Sequence, residues 1–276
     1  MKVISENKAF GGKQLVVSHA SAACQCEMTF GLYLPPQAEA GPVPVLWFLS
    51  GLTCTHENAM VKAGAQVWAA REGIALLFPD TSPRGDLVAD DPAFDLGKGA
   101  GFYVDATESP WAAHYNMWSY VTEELPQLVF DAFPLDRERQ AITGHSMGGH
   151  GALTIALTYP ARFKSVSAFA PICNPTQSGW GRKQFAAYLG ADEAVWVAHD
   201  ATALLAKNGF DLPLLIDQGS EDKFLDLLQT SALEAALADT RTRGTVRHQL
   251  GYDHSYFFVT SFMEDHVTFH ARALLA

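Results

Sequence analysis

Ser146, Asp222 and His254 have the types and order of a hydrolytic relay, and each stands in or beside a glycine-bearing turn. A serine hydroxyl is a poor nucleophile until a base takes its proton, so it must be held clear of its own backbone beside an imidazole. Ser146 stands in Ala141-Ile142-Thr143-Gly144-His145-Ser146-Met147-Gly148-Gly149-His150-Gly151-Ala152, where a short apolar run feeds a Gly-x-Ser-x-Gly turn. That pattern, opening into helix-compatible sequence, predicts a strand-to-helix nucleophile elbow in which Gly144 and Gly148 allow the tight approach. The amide of Met147 can then donate to a carbonyl oxygen that becomes negative during attack. A bare Gly-x-Ser-x-Gly arises by chance on the order of once in ten chains of this length, and its plain alternative is a serine N-cap. The preceding strand, the extra Gly149 and Gly151, and the downstream partners carry the reading beyond the motif.

In an α/β-hydrolase the acid and base follow the serine in chain order. Among the later histidines, His199 precedes the acid candidate, His248 lies inside an expected strand, and His266 and His270 are four apart on the last helix. His254, in Gly251-Tyr252-Asp253-His254-Ser255, follows the last expected strand, where open α/β sheets place their sites. Its plain alternative is a surface turn histidine. For the acid, Asp217 ends a strand, whereas Asp222 lies in the turn after it and can reach a histidine on the next loop. Glu221 and Asp253 remain alternatives as solvated turn acids. A second oxyanion donor is expected from Leu49-Ser50-Gly51-Leu52-Thr53-Cys54-Thr55, with Gly51 permitting an unusual path and the amide of Leu52 donating. Thr55 as a helix N-cap fits the same arrangement.

These residues need a scaffold, and the apolar patterning supplies one. Strands are expected over 14–19, 27–34, 43–49, 74–78, 140–143, 165–170, 212–217 and 245–250. Helices are expected over 57–71, 115–130, 226–238 and 256–275. The stretch from Asp80 to about His114, rich in Gly, Pro and Asp, has no convincing period and reads as a wall or lid of the site. The alternation never pauses for a linker, so residues 1–276 read as one α/β-hydrolase domain with a mostly parallel central sheet flanked by helices.

With 48% hydrophobic and 18% charged residues, the composition is that of a compact soluble protein. A net charge of −11 without any basic cluster argues against nucleic acid, and no run approaches a membrane span. The amino terminus, Met1 to Lys8, lacks the apolar core of a signal peptide, so a cytoplasmic location with reduced thiols is expected. Cys24, Cys26, Cys54 and Cys173 are scattered. Cys24-x-Cys26 has no second pair to complete a zinc site, and strand alternation would put both on one half-buried face, so no metal is expected.

Six segments carry a closer resemblance: Ser50 to Thr55, Asp80-Thr81-Ser82-Pro83-Arg84-Gly85, Gly99-Ala100-Gly101-Phe102-Tyr103-Val104-Asp105-Ala106-Thr107, Gly144 to Gly151, Ala170-Pro171-Ile172-Cys173-Asn174-Pro175, and Gly251 to Ser255. From about Gly12 to the end, the chain resembles the S-formylglutathione hydrolase (esterase D) family. The resemblance implies a cytosolic thioesterase that releases formate and glutathione in formaldehyde detoxification, without a cofactor and as a homodimer. It places the nucleophile on Ser146, the acid on Asp222, the base on His254 and the oxyanion amides on Leu52 and Met147. The stretch from Asp222 to the last strand, with Asp226-Leu227-Leu228-Gln229, departs from the family's pattern by its shortness.

Glutathione carries two carboxylates and one amine, so an acidic protein must bind it through local donors. Arg84, Lys98, Arg182 and Lys183 flank the expected walls and Trp180 could cover the peptide, although a solvated charge or a packed rim aromatic is the plainer reading of each. Cys54, two residues past Leu52, should border the pocket, but the one well-placed histidine is committed to Ser146, so Cys54 is not the nucleophile. A broad carboxylesterase or an acyltransferase could use the same machinery. A non-catalytic binding protein is disfavoured because all three triad positions are filled.

Overall fold

The computed structural model describes residues 1–240 and 242–276. One sheet organises them, built from β1 (Lys2–Ala9), β2 (Gly12–Ser21), β3 (Cys26–Leu34), β4 (Val43–Leu49), β5 (Ala75–Pro79), β6 (Leu135–Gly144), β7 (Phe163–Phe169), β8 (Leu214–Gly219) and β9 (Gly244–Gln249). The spatial order is β1-β2-β3-β5-β4-β6-β7-β8-β9. From β5 to β9 every neighbouring pair is parallel, and β1, β2 and β3 join antiparallel. This is the α/β-hydrolase arrangement that the sequence predicts.

Central strands of a parallel sheet are covered on both faces and so read as unbroken apolar runs. Every residue of β4, Val-Pro-Val-Leu-Trp-Phe-Leu, is buried, as is every residue of β5. Parallel pairing brings the carboxyl ends of β4, β6, β8 and β9 to one rim. Leu49 pairs with Gly144 and Gly219 with Gln249, so the segments holding residues 50–54, 145–147, 220–222 and 250–254 all leave from that rim.

Several elements differ from expectation for local reasons. The edge strand β1 is almost wholly exposed and offers no apolar alternation. The expected helix 57–71 is two helices, His56–Lys62 and Ala65–Glu72, because Gly64 takes φ +66° between them. Residues 226–238 likewise divide into Leu225–Leu228 and Thr230–Thr240 at Gln229, φ +58°. The helices Gly179–Leu189, Glu193–Trp196 and Ala201–Asn208 were not expected, although Ser178, Asp192 and Asp200 cap them through their side chains. Cys24 lies in the turn before β3, so it does not share a strand face with Cys26. Among the described residues no helix is long and apolar enough to cross a membrane.

Candidate active site

The elbow forms as the glycines require. A Cβ on Gly144 would stand 2.2 Å from the carbonyl oxygen of Gly148, and one on Gly148 would stand 2.0 Å from that of Leu49. Between them Ser146 adopts φ +59°, ψ −118°, a conformation that costs a non-glycine residue about 1–3 kcal/mol and persists only where its surroundings impose it. The Ser146 amide donates to Phe169 O at 2.9 Å, and its carbonyl accepts from His150 and Ile172 at 3.0 and 3.3 Å. The backbone is thus pinned from β7 and from the helix Met147–Thr158. Among the described residues the Ser146 hydroxyl makes no hydrogen bond; it opens on a cavity of about 180 Å³.

His254 faces the same cavity, and its Nδ1–H donates to Asp222 Oδ2 at 2.6 Å. That bond fixes the tautomer, leaving the Nε2 lone pair as the ring's basic position. Asp222 also accepts from Gln218 Nε2 at 3.0 Å and from the Phe224 amide at 2.8 Å. Burial pushes its carboxyl up, but the bond to and charge of His254 and those two donors outweigh it, holding Asp222 below the usual carboxylate range.

The competing acids and bases, Glu221 apart, are engaged elsewhere. Asp217 is held by Arg247 through two 2.6 Å bonds, by Gln249 at 3.2 Å and by His266 at 3.3 Å. His270 bonds Ser165 and Ser167, and His248 bonds Glu234. His199 packs edge-on against Trp118. Asp253 caps its own turn through Ser255, and Glu221 is exposed.

The opposite wall is the loop Gly51–Cys54. Its Thr53 takes φ +65° and donates to Gly99 O at 2.8 Å. Tyr103 donates to the Ser50 carbonyl at 2.9 Å. Among the described residues neither the Leu52 nor the Met147 amide has an acceptor. Leu52 lines the cavity and Met147 directly follows Ser146, so both expected oxyanion donors are free beside the hydroxyl.

Cys54 and Trp180 line the cavity as expected. The four cations do not. Arg84 grips Asp80 with Nε and Nη2 and also donates to the Cys54 carbonyl at 2.9 Å, which places it behind the wall. Lys98 lies 3.8 Å from Asp90, Lys183 pairs with the buried Asp95, and Arg182 pairs with Glu193 while stacking over Trp196. Each is held by a carboxylate, nearby in sequence for Arg84 and Asp80 but 88 residues away for Lys183 and Asp95.

Four lining residues were not singled out from the sequence. Phe94 and Phe224 complete an aromatic wall, their rings 6.3 and 4.8 Å from that of Trp180, and Phe224 meets His254 edge-on at 5.0 Å. His145 packs 4.6 Å from the His254 ring and 5.4 Å from Tyr256. Burial first, then the neighbouring His254, lowers His145 to about 3, so it sits there as a neutral ring. Their signal was proximity: His145 adjoins the nucleophile, Phe224 and Tyr256 each follow a triad candidate by two positions, and only Phe94 is remote.

The sequence matches the family described as "Putative esterase" over residues 21–269. The S-formylglutathione hydrolase of Paracoccus denitrificans (strain Pd 1222) is 65% identical over 273 residues, covering 99% of this chain and 98% of the relative. That of Mus musculus is 52% identical over 281 residues, with 100% and 99% coverage. A solved structure of an S-formylglutathione hydrolase from Agrobacterium tumefaciens superposes with a TM-score of 0.97 at 51% identity, covering 99% of this chain and all of that one. By sequence and fold alike, the chain belongs to the esterase family, and within it to the S-formylglutathione hydrolases.

Proposed function

We propose that this protein is a serine thioesterase that hydrolyses S-formylglutathione to glutathione and formate. The observation that carries the reading is the 2.6 Å His254–Asp222 bond on the cavity into which the Ser146 hydroxyl opens, beside two free amides. Ser146 Oγ attacks the formyl carbon while its proton passes to His254 Nε2. Asp222 stabilises the imidazolium, and the amides of Leu52 and Met147 receive the oxyanion. The C–S bond then breaks and sulfur takes the proton from His254, leaving a formyl ester on Ser146. Water attacks that ester, giving one proton to His254; the C–Oγ bond breaks, Ser146 recovers that proton from His254, and formic acid departs, releasing its remaining proton to solvent as formate.

A thiol leaves more readily than an amine, its pKa being about 8.5, so attack and oxyanion stabilisation carry most of the barrier. A cavity of about 180 Å³ walled by Trp180, Phe224 and Phe94 suits a small acyl group. Within this reading the enzyme works in the cytosol as a homodimer, without a cofactor, in formaldehyde detoxification. Light scattering at twice the 30.0 kDa of one chain tests the dimer.

The deciding experiment compares kcat/KM on S-formylglutathione, S-acetylglutathione and an aryl acetate, with Ser146→Ala as control. The reading expects the formyl thioester to lead and Ser146→Ala to lose about 10⁴-fold or more. An aryl acetate that outpaces the formyl thioester would make the protein a general carboxylesterase, and a tenth of wild-type activity in Ser146→Ala would remove the nucleophile.

A further inference from the structure

The glutathionyl group carries an α-ammonium and an α-carboxylate at its γ-glutamyl end and one carboxylate at its glycine end. Among the described residues, no Lys, Arg, Asp or Glu lines the cavity at Ser146, so those charges must be met outside it. Two grooves adjoin it. One, of about 330 Å³, shares Phe224 and His254 with the cavity and is lined by Glu221, Lys223 and Asp253. The other, of about 800 Å³, shares Tyr256 and is lined by Lys62 with the hydroxyl residues Ser255, Thr260 and Ser261, and among the described residues no carboxylate lines it. Ser255 belongs to both grooves, so the two meet beside the base.

Neither lysine forms an ion pair among the described residues, in contrast to Arg84, Lys98, Arg182 and Lys183. Lys223 Nζ lies 4.9 Å from the Phe224 ring centroid and Lys62 Nζ 6.0 Å from that of Tyr256. Each cation is therefore carried on an aromatic ring that also walls the cavity. The Glu221 side chain makes no hydrogen bond among the described residues, whereas Asp253 is partly occupied by Ser255.

Resting on the S-formylglutathione reading, we infer that the glutathionyl group straddles these grooves, with Lys223 and Glu221 holding its zwitterionic γ-glutamyl end and Lys62 its glycine carboxylate. The groove with both signs takes the end with both signs, and the groove with a lone cation takes the lone anion. This resolves how a chain of net charge −11 receives a substrate of net negative charge: two local cations do what the overall field opposes.

S-Methylglutathione, which keeps both ends and offers no acyl group, is the probe, measured as a competitive inhibitor of aryl acetate hydrolysis at low salt. Lys62→Glu and Lys223→Glu should each raise its inhibition constant about fivefold to tenfold, and the KM for S-formylglutathione should rise in parallel. Lys→Arg at either position should retain binding, and added salt should weaken the wild type toward the variants. The glycine-ethyl ester of the probe should erase the effect of Lys62→Glu and keep that of Lys223→Glu. Unchanged inhibition and KM in both reversals, or a Lys62→Glu effect that survives the ester, overturns the inference. The two readings part cleanly: wild-type turnover of S-formylglutathione with charge-insensitive variants sinks the grooves alone, and probe binding without such turnover sinks the substrate alone.

Discussion

Arg84 Nη2 donates to the carbonyl oxygen of Cys54 at 2.9 Å, and that carbonyl lies two residues beyond the amide of Leu52. The Thr81 hydroxyl donates to the same oxygen, while Asp80, only 4% exposed, orients the guanidinium and accepts from the Thr81 amide at 2.7 Å. Together with the bond from Thr53 to Gly99, this clamp fixes the loop that presents the Leu52 amide. On this geometry Arg84 is expected to position the loop rather than to bind glutathione. Arg84→Gln should lower kcat about tenfold or more on thioester and aryl ester alike, with KM little moved, because losing an oxyanion donor falls on the transition state. Arg84→Lys should restore little, since an ammonium cannot span Asp80 and the carbonyl in one plane. A rise in KM confined to S-formylglutathione would return Arg84 to the substrate.

The buried aspartates Asp217 and Asp222 should separate by readout. Asp222→Asn leaves the packing but can no longer hold His254 in the productive tautomer, so kcat should fall by about 10⁴ with the melting temperature nearly kept. Asp217→Asn removes the buried charge that Arg247 grips, leaving it Asp265, and disturbs Gln249 and His266, and it should cost about 1–3 kcal/mol of stability with little change in turnover per folded molecule. Activity and thermal melting on the same preparations distinguish them, and the opposite pattern would move the acid to Asp217.

Cys54 lines the cavity yet is only 7% exposed, and burial raises its thiol above the usual range despite the nearby Lys62 and Arg84. Little thiolate is present near neutrality, so iodoacetamide should inactivate slowly and faster as pH rises. The adduct would fill space that the substrate needs in a cavity of about 180 Å³. Cys54→Ser should be immune, and equal inactivation of wild type and variant would place the reactive group elsewhere.

The grouping of Ser146, Asp222 and His254 was legible because glycines mark the strand ends that lead to them: Gly144 closes β6, Gly219 closes β8 and Gly251 follows β9, and chain order then left few candidates. The partners of the cations were not legible, because a sequence displays a charge without displaying what pairs with it. Lys183 meets Asp95, 88 residues away, through tertiary packing alone. Phe94 lies in an aperiodic stretch and reaches the cavity only through long-range folding. The helices Gly179–Leu189 and Ala201–Asn208 were signalled by Ser178 and Asp200 as caps, but their mixed polarity masked the period.

Histidines lowered by burial set the response to mild acid: His145, His150, His266 and His270 in the interior, with His19, His56 and His199 beside them. Burial lowers His145 and His150 to about 3, and it also lowers His266 and His270 from the ordinary 6.5. Above pH 6.5 these rings are neutral folded or unfolded and contribute no pH dependence. Below it the unfolded chain takes up protons that the folded chain refuses, so stability falls with pH, each ring contributing about 1.4 kcal/mol per unit. The depressed carboxylates Asp217 and Asp222 act only nearer 3.8, which leaves pH 6 to 4.5 as a histidine window. Urea midpoints through that window should drop with the slope of more than two protons. His150 touches Phe102 and Phe185, and neither ring nitrogen has a partner among the described residues, so His150→Leu should keep the fold and remove about one proton from the slope. A slope unchanged by that substitution would mean that His150 is protonated in the folded protein and that its burial does not hold it neutral.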